Sequence, residues 1–103
     1  MAEYISEKNE ETIRNLLVSC KKAVPDVVFK VRDTEELVIK SSDVDEIIAA
    51  IDGGDEEIGI NVFDSTKKCL GWFGIFPYEA EDIVFDSSAN SFCDRVLANA
   101  DKG

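Results

Sequence analysis

The chain is 103 residues long, 45% hydrophobic and 32% charged, with 22 acidic against 11 basic residues and a net charge of −11. That is the length of one domain, with enough apolar residues to build its own core. The charge speaks against a general nucleic-acid or anionic-membrane binder, since both need basic surface, and favours a basic partner.

Residues 6–23 suit a helix. Ile13, Leu16, Leu17, Cys20 and Val24 recur at helical spacing, with Ser6 or Asn9 as cap. Glu10 and Glu11 suit the positive end of its dipole, Lys21 and Lys22 the negative end, and Pro25 stops it. In DVVFKVRDTEELVIK, Val27, Phe29 and Val31 alternate with Val28, Lys30 and Arg32, and Leu37 and Ile39 continue the alternation after a polar turn at 33–36. This is a hairpin with one buried face.

SSDVDEIIAAIDGG is the clearest helix. Ser42 with Asp45 resembles a capping box, Val44, Ile47, Ile48 and Ile51 form the stripe, and Gly53 and Gly54 supply the stop. EIGINVFD alternates Ile58, Ile60 and Val62 against Asn61 and Phe63, and DSTKK turns the chain. CLGWFGIFPY is the next strand, with Leu70, Trp72, Phe76 and Tyr78 on one face and Cys69, Phe73 and Ile75 on the other. DIVFD is a short last strand. Ser88 or Ser91 caps a final helix that turns Phe92, Val96 and Leu97 inward. The expected architecture is one α+β domain over residues 1–103, of order α-β-β-α-β-β-β-α, with an antiparallel sheet of about five strands and three helices.

LGWFGIFPY, residues 70–78, holds the only tryptophan and no charge. It is far shorter than the ~20 apolar residues of a membrane helix. As a strand apolar on both faces it lies centrally in a sheet covered on both sides, or leaves Trp72, Phe76 and Tyr78 as an apolar contact for a partner. Three helices can cover both faces, so the first reading is preferred.

No histidine is present, which removes the commonest general base and His-based metal ligation. Cys20, Cys69 and Cys93 form neither a disulfide framework nor a zinc pattern, and are read as reduced, core-packed thiols of a cytoplasmic protein. The opening MAEYISEKNE shows no apolar leader. Asp52-Gly-Gly-Asp55 lacks the Lys and Ser/Thr of a phosphate loop, and its acids lack the spacing of a calcium loop. A carboxylate-pair enzyme is conceivable, but so many acids make such pairs by chance. We therefore expect no catalytic residue, cofactor or metal.

Charge is uneven along the chain. Residues 1–32 carry 5 acids and 6 bases, net +1. Residues 33–66 carry 11 acids and one base, net −10. Residues 67–103 carry 6 acids and 4 bases, net −2. Glu35, Glu36, Asp43, Asp45, Glu46, Asp52, Asp55, Glu56 and Glu57 are therefore the candidate partner-binding residues, on one negative surface. Such a surface steers a basic partner, such as a nuclease, toxin or defence complex. The competing reading is a homodimeric assembly module that uses an apolar strand face.

The run INVFDSTKKCLGWFGIFPYEAEDIVFDSSANSF, with Gly71-Trp72 and the segment Asp82 to Asn90, resembles short acidic α+β proteins encoded by phages and other mobile elements, over residues 36–97. The first helix and the cysteines stand outside that pattern. The resemblance implies an accessory role such as anti-restriction, anti-CRISPR or toxin immunity, and carries over no active residue.

Overall fold

The computed structural model describes residues 3–33, 36–81 and 83–102, with side chains through Ala100. Helix α1 spans Glu7–Ala23, strands β1 and β2 Val28–Arg32 and Leu37–Ser41, and α2 Val44–Ile51. Strands β3, β4 and β5 span Ile58–Phe63, Cys69–Ile75 and Val84–Ser87, and α3 spans Ser91–Lys102. The element order is the expected one.

Local chemistry explains the boundaries. Ser6 caps α1, its hydroxyl accepting the Asn9 N–H at 3.2 Å. Asp43, rather than Ser42, caps α2: its Oδ1 accepts the N–H groups of Asp45 (2.9 Å) and Glu46 (3.3 Å). A carboxylate serves there as both acceptor and dipole charge, which a hydroxyl cannot match. Gly53, at φ +82°, supplies the left-handed stop. Neither Ser88 nor Ser91 caps α3; Asn90 does, accepting the Cys93 N–H at 2.8 Å while donating to the Leu70 carbonyl at 3.0 Å. An amide offers both a donor and an acceptor, so it fixes the helix start to β4 in one step.

The sheet order is β2-β1-β3-β4-β5, and every pair is antiparallel. Cross-strand register puts Phe29, Val31, Ile60, Val62, Phe73 and Ile75 on one face, all buried. They join Ile13, Leu16, Leu17, Ile47, Ile51 and Val96 from the helices in a single core. Each such side chain contributes about 1.5–3 kcal/mol by leaving water. Core-facing Gly71 lets α3 lie close, since a Cβ there would stand 2.5 Å from Cys93 Sγ.

The helices cover only that face. The expectation of a sheet covered on both sides fails, because α1 packs between α2 and α3 instead of crossing to the far side. The far face carries Lys30, Arg32, Lys40, Asn61 and Trp72, and Trp72 is 39% exposed.

LGWFGIFPY is not strand to its end. β4 stops at Ile75, and the Phe76 N–H donates to the Ile83 carbonyl at 2.7 Å. Pro77 and Tyr78 turn away. The Tyr78 hydroxyl reaches the Ile51 and Gly54 carbonyls, at 3.2 and 3.3 Å, tying the loop to the end of α2. Buried Asn9 donates its amide to the Pro77 and Glu79 carbonyls, at 2.9 and 2.7 Å, anchoring the start of α1 to the same loop.

Candidate functional site

Strand direction decides where the acids go. β1 ends, β3 begins and β4 ends at the same edge of the sheet, since Arg32 pairs with Gly59 and Ile58 with Ile75. The turn after β1, the loop before β3 and the loop after β4 therefore share one pole. Asn9 brings the first turns of α1 there too. Glu36, Asp55, Glu56, Glu57, Glu79 and Glu81 are exposed at this pole, with Glu7 and Glu11 beside them. Lys8 and Arg32 are the nearby bases.

The nine acids read from the sequence divide. Glu36, Asp55, Glu56 and Glu57 meet at the pole. Asp52 is there as well but is engaged: its carboxylate accepts the N–H groups of Glu3, Tyr4 and Ile5 at 2.7, 2.8 and 2.9 Å. Desolvation pulls its pKa up, but the three donors outweigh it and hold the carboxyl below its ordinary range. Asp43, Asp45 and Glu46 start α2 at the opposite pole, one helix length of ~12 Å away. There Asp43 is the cap, Asp45 pairs with Arg14 at 2.6 Å, and Glu46 accepts from the Ser41 hydroxyl at 3.2 Å. Glu35 lies outside the described residues, as does Asp82.

Glu7, Glu11, Glu79 and Glu81 were missed. Their signal in the sequence was only the acidic start of α1 and the acidic EAED loop. Bringing the two together depends on the long-range hold of Asn9.

Arg14 and Asp45 form an ion pair at the pole opposite. Both partners are substantially exposed, so it contributes little. Two carboxylates ~8 Å apart in water repel by about 0.5 kcal/mol. Carboxylates gathered at the pole therefore repel one another, offset in part by the favourable place of Glu7 at the start of α1 and by Lys8 and Arg32 nearby.

The open face forms a second surface beside the pole. Lys40, Lys30, Asn61 and Trp72 lie in one cross-strand row. Lys30 Nζ stands 4.6 Å above the Phe63 ring. In the neighbouring row Arg32, Gly59, Gly74 and Asp86 follow one another. Phe85, 39% exposed, lays its ring over Gly74 and stacks on Phe76 at 4.1 Å between centroids. Trp72, Phe76 and Tyr78 therefore do not share one stripe: Trp72 is on the open face, Phe76 under Phe85, and Tyr78 against α2.

Cys20 and Cys93 are buried, and Cys69 is exposed. Burial, reinforced by Cys93 nearby, pushes the Cys20 thiol up to about 12, and desolvation raises Cys93 as well, so neither is an activated nucleophile. Among the described residues no group of three or more Cys, Asp or Glu is placed to hold a metal ion, and no helix is long and apolar enough to cross a membrane. In comparisons with protein-family models, curated proteins and solved structures, nothing matches this chain.

Proposed function

We propose that this is a non-catalytic binding protein that docks its acidic pole on a basic, nucleic-acid-handling partner and neutralises it by occupying the place of phosphates. One observation carries the reading. Folding gathers carboxylates from four separate chain segments onto one pole, away from the Arg14–Asp45 ion pair. Self-repulsion of this kind is offset when it accelerates capture of an oppositely charged partner. Nucleases, toxins and defence complexes carry such basic surfaces. An accessory role in a phage or mobile element, of the anti-restriction, anti-CRISPR or immunity kind, fits the same picture, as does a cytoplasmic setting for three free thiols.

The test captures the partner at low salt, identifies it by mass spectrometry, and titrates the purified pair against ionic strength. Affinity is expected to fall steeply with salt. It should also fall about tenfold or more when Asp55→Asn, Glu56→Gln and Glu57→Gln are combined. Glu46→Gln, at the opposite pole, should leave it unchanged. Salt-independent binding, or equal loss from both variants, overturns the reading.

A homodimer through the open face has the exposed Trp72 and Phe85 in its favour. It would, however, also cover Lys30, Arg32 and Lys40, which leaves the acidic pole as the better-supported surface.

A further inference from the structure

Gly59 is the anomaly of the open face. Its φ lies outside the left-handed region, and a Cβ there would meet nothing nearer than the Arg32 carbonyl oxygen at 3.9 Å. Glycine weakens a strand interior, and nothing in this fold asks for it here. A glycine of that kind marks a place where another group approaches the backbone closely. Directly across the ladder stands Gly74. Gly59, and Gly74 beneath the Phe85 ring, line a hollow of about 340 Å³. Trp72 and Phe85 also line it, with Arg32, Asp33, Glu57 and Asp86 around them. Phe85 is held in place by its stack on Phe76.

We propose that this hollow receives one cationic side chain, an arginine or lysine, from the basic partner; the inference rests on the docking reading above. Size, surface and charge agree. The volume is at the lower end for ligand pockets and suits a single side chain. A slender aliphatic stem can lie on the open Gly59 backbone, with the rings of Trp72 and Phe85 in the lining to attract a cation. Three carboxylates against one guanidinium leave the lining net negative, and the hollow opens beside the acidic pole. Arg32 on the β1 side sets the competing possibility, an anionic or nucleobase guest, which the experiment separates.

Trp72 is the only tryptophan, so its emission reports occupancy of the hollow. The probes are acetyl-Gly-Arg-Gly-amide, the same peptide with neutral citrulline, and an oligothymidylate. The arginine peptide should give a saturable change in the millimolar range, with citrulline about tenfold weaker. Gly59→Val fills the floor without changing charge and should abolish the response. Glu57→Gln should weaken it several-fold. No saturable response, equal binding of citrulline, or a response to oligothymidylate alone overturns the proposal. The two readings fail separately. If Gly59→Val leaves salt-sensitive partner binding untouched, the anchor falls and the pole stands. If the arginine peptide binds while no basic partner is captured, the pole falls and the hollow stands.

Discussion

Replacing Gly59 with valine should stabilise the protein. Glycine in a strand interior costs about 0.5–1 kcal/mol relative to alanine, through the freedom it loses on folding. Valine adds strand preference on a scale spanning ~1 kcal/mol. The first added atom meets no clash, since a Cβ at Gly59 has 3.9 Å to its nearest neighbour. The expected gain is about 1 kcal/mol, which raises the midpoint by roughly 4–8 °C in a domain of this size. Two other strand glycines serve as controls in which space, not entropy, decides. At Gly74 a Cβ would stand 2.7 Å from the end of the Phe85 ring, which can slide outward by giving up its Phe76 stack. That loss is about 0.5–1.5 kcal/mol and roughly cancels the entropy gain. At Gly71 a Cβ would stand 2.5 Å from Cys93 Sγ in the closed core, so alanine forces α3 away at about 1–3 kcal/mol. Urea denaturation followed by far-ultraviolet circular dichroism should rank Gly59→Val above wild type, Gly74→Ala near it and Gly71→Ala below. A destabilised Gly59→Val would refute the claim that the fold has no need of this glycine.

Asn9→Ala should cost about 2 kcal/mol, because it strips buried Pro77 and part-buried Glu79 carbonyls of their donor, and denaturant unfolding measures it. The Asp52 clasp should loosen in acid. Its carboxyl titrates below the ordinary value, so its stabilisation is full above the unfolded pKa of ~3.9 and is lost as pH falls through the lower folded value. Exchange of the Glu3, Tyr4 and Ile5 amides, compared at equal intrinsic rate, should quicken below pH ~4, and Asp52→Ala should remove that dependence. Alkylation of the native protein should modify Cys69 quickly and leave Cys20 and Cys93 until unfolding, as read by intact mass.

The element order was legible because each element carries its own period: Val44, Ile47, Ile48 and Ile51 for a helix, Ile58, Ile60 and Val62 for a strand. Caps were off by a residue or two. Asp43, Ser42, Asn90 and Ser91 all make plausible caps, and the choice fell to second partners such as the Leu70 carbonyl. The end of LGWFGIFPY was misread because Phe76 and Tyr78 keep an apolar character after the ladder stops. The Tyr78 hydroxyl bonds to the Ile51 and Gly54 carbonyls, distant in sequence, draw the chain off the sheet just past Phe76, which stays paired to Ile83. The acids were seen, but their grouping was not. Closeness along the chain put Asp43 with Asp55, whereas α2 holds them at opposite ends. The glycine-floored hollow depends on the register of β3 with β4, which no local pattern encodes.

The strand order has a consequence for how the chain assembles. β1 with β2, and β3 with β4 and β5, are neighbours both in sequence and in space. The sheet is thus two locally formed pieces joined along a single seam, where Phe29 meets Val62 and Val31 meets Ile60. Closing that seam spans α2 and its loops, so it carries the largest loop-closure cost in the sheet. Substitutions such as Val62→Ala at the seam should chiefly slow refolding if the join forms in the transition state, while Leu37→Ala at the outer edge should chiefly hasten unfolding. The strand that supplies the floor of the hollow is thus also the strand on which the two halves meet.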